Sequence, residues 1–72
     1  MPQVSARELL RFLKAQGFME DRQAGSHVTL WNPDRKVSVT VPVHANCDVG
    51  RGLAVRILND AGFTVEDYLR LR

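Results

Sequence analysis

The stretch KVSVTVPVH, residues 36 to 44, alternates without a break: Val37, Val39, Val41 and Val43 fall on one side, Ser38 and Thr40 on the other. A period of two is the signature of a strand with one face buried and one in water. Such a strand needs a partner at its edge and a layer over its valine face. Pro42 has no N–H to give to a ladder, so it belongs at a sheet edge or a strand end.

The partner strand lies upstream. From Ser26, Val28 and Leu30 alternate with His27, Thr29 and Trp31, and Asn32-Pro33-Asp34-Arg35 reads as a four-residue turn. An antiparallel hairpin across that turn pairs Trp31 with Lys36, Leu30 with Val37, Val28 with Val39 and His27 with Thr40. Apolar then faces apolar and polar faces polar along its length. A weaker alternation over Phe18–Gln23, ended by a turn at Ala24-Gly25, predicts a first strand.

Two helices supply the covering layer. Ser5-x-x-Glu8 fits a capping box, Ala6, Leu9, Leu10 and Leu13 recur on one face, and Gly17 closes the helix. After a loop at 44–50, Ala54, Ile57, Leu58 and Ala61 mark a second face, closed by Gly62. Thr64-x-x-Asp67 caps a final helical turn through Tyr68 and Leu69. The expected order is α-β-β-β-α with a short helical tail: an α+β fold with both helices on one face of a three-stranded antiparallel sheet. The core residues under the helices are Val28, Leu30, Val37, Val39 and Val41.

At 72 residues the chain makes one domain, 1–72, whose small core buries roughly 60% of the unfolded surface. Part of its stability is therefore expected from a partner. Cys47 is the single cysteine, so no internal disulfide forms, and no Cys/His spacing suits zinc. No metal or cofactor is expected. No run approaches the roughly 20 apolar residues of a membrane span, and the N-terminus lacks a signal-peptide pattern, so a cytoplasmic location is expected. A net charge of +2 is compatible with nucleic acid.

The sheet face away from the helices is predicted to carry His27, Thr29, Trp31, Lys36, Ser38 and Thr40. The core has no use for His27 there. Its imidazole, with an ordinary pKa of about 6.5, can give or take a proton at neutral pH. Gly25 lets backbone approach a ligand, and the amides around Gly25-Ser26 suit a phosphate oxygen. Arg22 and Lys36 are the nearest cations in sequence. Trp31 is placed either to stack a base or to anchor a protein partner. His44 is expected about 13 Å from the His27 row, four residues beyond Thr40.

SARELLRFLKAQGF, RQAGSH, VPVH and RILNDAGF together give the chain a resemblance to the HicA family of bacterial toxins, the YcfA-like mRNA interferases. The Gly-Ser-His placement ahead of a valine-rich strand is its most specific part. Ala24 stands where a basic residue often precedes Gly-Ser-His, and Gly52-Leu53-Ala54-Val55 replaces the usual opening of the second helix. The resemblance implies a double-stranded-RNA-binding-domain-like fold and a metal-independent endoribonuclease toxin of a type II toxin–antitoxin system. It puts the catalytic role on His27, and implies an mRNA substrate and a HicB-like antitoxin over the active face. On this reading Arg22, Gly25, Ser26, Lys36 and Trp31 bind the RNA. The rival expectations are a non-catalytic RNA-binding module and an interaction protein that docks another chain on its open face.

Overall fold

The computed structural model describes residues 3–43 and 48–72. His44 and Cys47 lie outside the described residues. The expected elements appear in the expected order. Helix α1 spans Ala6–Ala15, helix α2 Arg51–Asp60 and helix α3 Val65–Leu71, and between α1 and α2 run strands β2 (Met19–Ala24), β3 (His27–Asn32) and β4 (Val37–Pro42). The three strands form an antiparallel sheet in the order β2-β3-β4. A two-residue strand β1 (Val4–Ser5), just before α1, pairs antiparallel with β5 (Asp48–Val49) just before α2. The sequence had suggested only loop there, because two residues show no periodicity. Val4 and Val49 are both buried, so this short ladder closes the base of the two helices.

The helix ends follow local chemistry. Ser5 Oγ accepts from the Glu8 N–H at 3.1 Å, the serine half of the predicted box. At α3 the reciprocal box is complete: Asp67 N–H donates to Thr64 Oγ1 and Thr64 N–H to Asp67 Oδ2, both at 3.0 Å. The Thr64 backbone N–H is the main reason the Asp67 carboxyl sits below its ordinary pKa. With that cap, α3 runs to Leu71, longer than the single turn expected. Helices α1 and α2 end in the same motif. Gly17 and Gly62 take φ of +98° and +94°, the Phe18 N–H reaches back to Leu13 O and the Phe63 N–H to Leu58 O. These are Schellman bonds, in which a left-handed residue turns the chain so that an orphan carbonyl is satisfied. Both motifs send their phenylalanine inward, and the rings of Phe18 and Phe63 lie 6.5 Å apart. Phe12 meets Phe63 and Tyr68 edge-on at 5.2 and 5.0 Å. Phe12 was not on the helix face expected from the leucines.

Val28, Leu30, Val39 and Val41 are buried as expected, while Val37 is partly buried against the same core. Helices α1 and α2 both pack on β4. Strand β2 extends beyond them, and all six of its side chains are exposed.

The hairpin register differs from expectation by two residues. Asn32 pairs with Val37, Leu30 with Val39, Val28 with Val41 and His27 with Pro42. Trp31 therefore faces Ser38 rather than Lys36, and Thr40 faces Thr29 rather than His27. The faces are unchanged, because a slip of two residues preserves every inside and outside position. The cause is Asn32, the buried polar residue among those described, at 1% exposure. Its Oδ1 accepts from the N–H groups of Asp34 (2.9 Å) and Arg35 (3.1 Å). Its Nδ2 donates to Gln16 O at 3.2 Å, at the end of α1. This holds Asn32 inside the strand as its last residue, and moves the four-residue turn one place on, to 33–36.

Asn32→Ala should therefore cost about 2–3 kcal/mol of unfolding free energy, since it leaves three backbone groups without their partner. Asn32→Asp keeps the acceptor but loses the donor to Gln16 O, and sets a carboxylate at the negative end of α1. Burial and that dipole disfavour the carboxylate while the N–H bonds of Asp34 and Arg35 favour it; a deficit relative to wild type that grows with pH shows that burial and the dipole prevail, and one that shrinks shows that the two bonds do. Urea melts of the two variants over a range of pH measure both effects.

Candidate functional site

His27 is the first residue of β3. It follows a two-residue hairpin turn, Gly25-Ser26, that sets Ala24 opposite His27. Gly25 has φ +60°, and a Cβ added there would meet nothing within 4 Å. Glycine is selected for the turn, whose first central residue needs a positive φ to match the strand twist, and not for room. The turn is braced from both sides. Gln23 Nε2 donates to Gly25 O at 3.1 Å, and the Val43 N–H donates to Ser26 O. His27 thus stands exposed at the end of a central strand, on a turn whose two carbonyls are already engaged.

The register arranges the open face in rows across three strands. Ala24, His27 and Pro42 form the first row, Arg22, Thr29 and Thr40 the second, and Met19, Trp31 and Ser38 the third. In the middle row the hydroxyls of Thr29 and Thr40 lie 3.2 Å apart. Arg22 is diagonal to His27, with Cα atoms roughly 7–8 Å apart for such neighbours, a span an arginine side chain covers.

Of the residues singled out in the sequence, the structure brings Arg22, Gly25 and Ser26 together with His27. It places Trp31 two rows away. Lys36 lies farther still: it belongs to the β3–β4 turn, six residues along from Pro42, or about 20 Å at the usual strand rise. Lys36 is not on the strand face where the sequence reading had put it, and it stands too far off to share a phosphate with His27. It holds φ +57°, a left-handed conformation that closes the turn through its own N–H to Asn32 O at 2.7 Å. The expectation for His44 falls outside the described residues.

Met19 is a residue that sequence reasoning missed. A regular ladder continued from the Gly25-Ser26 turn would set it inward, opposite Asn32. A bulge between Glu20 and Arg22 instead brings it opposite Trp31 on the open face. The weak alternation of MEDRQA was the visible trace of that irregularity. The face away from the sheet has a pocket of about 310 Å³ between α1 and α3, lined by Glu8, Arg11, Ala15, Tyr68, Leu71 and Arg72. None of the candidate residues lines it. Among the described residues no group of three or more His, Cys, Asp or Glu side chains is placed to hold a metal ion. No helix among them is long and apolar enough to cross a membrane.

Lys36 yields a direct check on its role. A non-glycine residue in the left-handed region costs roughly 1–2 kcal/mol, part of which glycine returns through the extra freedom of the unfolded chain. Lys36→Gly should therefore leave the urea midpoint unchanged or raise stability by up to about 1 kcal/mol. A marked loss would show that the lysine side chain holds the turn.

Comparison with known proteins adds one finding. Residues 6–63 match the family model of the HicA toxin of bacterial toxin–antitoxin systems. No curated protein matched the chain. The matched span runs from the first residue of α1 to Phe63, and so takes in the whole sheet and the His27 turn.

Proposed function

The chain belongs to the HicA family of toxins of bacterial toxin–antitoxin systems, and from that premise we propose that it is a metal-independent endoribonuclease, an mRNA interferase, with His27 as its catalytic residue. The observation that carries this reading is the placement of His27. It is exposed on the sheet face the core does not use, beside a rigid turn and diagonal to Arg22.

RNA brings its own nucleophile. As general base, His27 takes the proton of a 2′-hydroxyl, and that oxygen attacks the adjacent phosphorus. The bond from phosphorus to the 5′-oxygen then breaks and that oxygen takes a proton from water, leaving a 2′,3′-cyclic phosphate and a 5′-hydroxyl. In the alternative assignment water takes the 2′-hydroxyl proton, and His27 is the general acid that supplies the proton to the 5′-oxygen. Either role needs a cation or aligned amides near the phosphorane-like charge. Arg22 reaches the same row as Thr29, and the Gly25 and Ser26 amides border His27 where a phosphate oxygen would sit. Trp31, at the far end of the face, and Lys36, in the turn beyond it, contact the RNA away from the reacting phosphate. The antitoxin is a HicB-like protein that covers this face, and the setting is the cytoplasm, where mRNA is found.

Single-turnover cleavage of a labelled RNA with EDTA present tests the proposal. His27→Ala should slow cleavage about 10²–10⁴-fold, with stability changed little, because an exposed strand-end side chain contributes little to the fold. RNA binding should largely persist, since phosphate affinity comes from Arg and Lys. Full activity in a folded His27→Ala protein would end the assignment. Binding without cleavage in the wild type would select the non-catalytic module.

A further inference from the structure

The bulge in β2 changes what the open face offers at its far end. From the Ala24–His27 pair a regular ladder leads to Glu20 opposite Trp31. With Asp21 as the extra residue, Glu20 pairs with Leu30 and Met19 with Trp31. Glu20 is turned to the helix side, where its Oε2 lies 3.4 Å from Lys14 Nζ. On the open face Met19, 56% exposed, and Trp31, 38% exposed, become cross-strand neighbours. None of the paired positions on this face carries a carboxylate, and Arg22 stands in the row between Trp31 and His27.

We propose that Trp31 and Met19 form a stacking platform for one base of the same RNA strand that His27 cleaves, a few nucleotides from the reacting phosphate. The proposal rests on the cleavage reading above and specifies its substrate as unpaired RNA lying along β3. Four residues separate His27 from Trp31, a span of about 13 Å along a strand. A stacked strand advances about 3.4 Å per nucleotide, so the platform meets a base about four stacked nucleotides away, or fewer in an extended strand. An indole face accepts any base, and stacking of this kind tolerates sequence. The polarizable thioether of Met19 borders the ring and fills the remaining edge. A base inside a duplex already has both faces covered, so the platform selects single strands. Arg22, midway, meets the intervening phosphates. Arg22 between the two ends, with Glu20 turned away from the platform, suits a strand whose phosphates are spaced between the reacting group and the stacked base.

Trp31 is the single tryptophan of the chain, so intrinsic fluorescence reports on the platform alone. Single-stranded RNA dinucleotide, tetranucleotide and octanucleotide, and the octanucleotide as a duplex, would be titrated into full-length His27→Ala. The same substrates would be used for kcat/KM with wild type, Trp31→Ala and Trp31→Phe. Quenching is expected with the two longer single strands and not with the dinucleotide or the duplex. Trp31→Ala should lose about 5- to 100-fold in kcat/KM on the octanucleotide and nothing on the dinucleotide, and Trp31→Phe should restore most of the loss. Cleavage without quenching, with the same length dependence in wild type and Trp31→Ala, overturns the platform and leaves the cleavage reading standing. Quenching by single strands with no cleavage by wild type keeps the platform and removes the nuclease. Quenching by duplex and single strand alike also overturns it, because the selection for unpaired RNA is then absent.

Discussion

Asn32 joins the two halves of this small fold. One amide side chain accepts from two turn N–H groups and donates to a carbonyl at the end of α1. The helix, the end of β3 and the β3–β4 turn are thereby fixed to one another at a point closed to water. A buried amide is worth keeping only when its hydrogen bonds are made, because each unmet group costs more than a made bond gains. Both helix-ending glycines lie near this junction. A Cβ at Gly17 would lie 3.4 Å from Asn32 Nδ2, and on the other side Arg35, placed by the same turn, lies 4.4 Å above the Phe63 ring. A Cβ at Gly62 would come within 2.8 Å of that guanidinium. The first is an ordinary contact and the second meets the movable end of a flexible side chain, so it is their own positive φ that demands glycine at both helix ends.

The layout of the open face follows from the same anchoring. Fixing the turn at 33–36 sets the β3–β4 register, and the register decides that His27 looks across at a proline and Thr29 at a threonine. On the other side, the Gly25-Ser26 turn sets Arg22 in the adjoining row. The helices cover β3 and β4 and leave β2 exposed along its length. An unprotected edge strand invites pairing with other chains. Here the edge carries the charges of Glu20, Asp21 and Arg22 and a bulge, the usual means of discouraging it. The Lys14–Glu20 ion pair from α1 to β2, half-exposed at both ends, adds little to stability.

Much of this was legible in the sequence because local chemistry and tertiary need coincide. Both Gly-Phe stops, the serine and threonine caps, the valine face and the Gly-Ser-His turn all stand where the residues indicated. The hairpin register was not legible, for a definite reason: alternation has a period of two, so pairings that differ by two residues satisfy it equally. Only the side chain of Asn32, acting as part of the turn while still counted in the strand, separates them. The bulge escaped because MEDRQA lacks a buried face to set its phase. The β1–β5 ladder escaped because Val4 and Val49 are isolated apolar residues whose pairing depends on where the helices bring them. For the candidate site, His27, Arg22 and the turn were readable as neighbours. The placement of Lys36 inherited the register error, and Met19 the missing bulge.

The open face has a further consequence. Arg22, His27 and Thr40 are exposed, and Thr29 and Trp31 are only partly covered, so the core makes few demands on these positions and substitutions there cost little folding energy. Variation among related chains at such positions is not constrained by the need to fold. Whatever restraint their histories show at this face is a record of the molecules that have touched it, written separately from the record of the core.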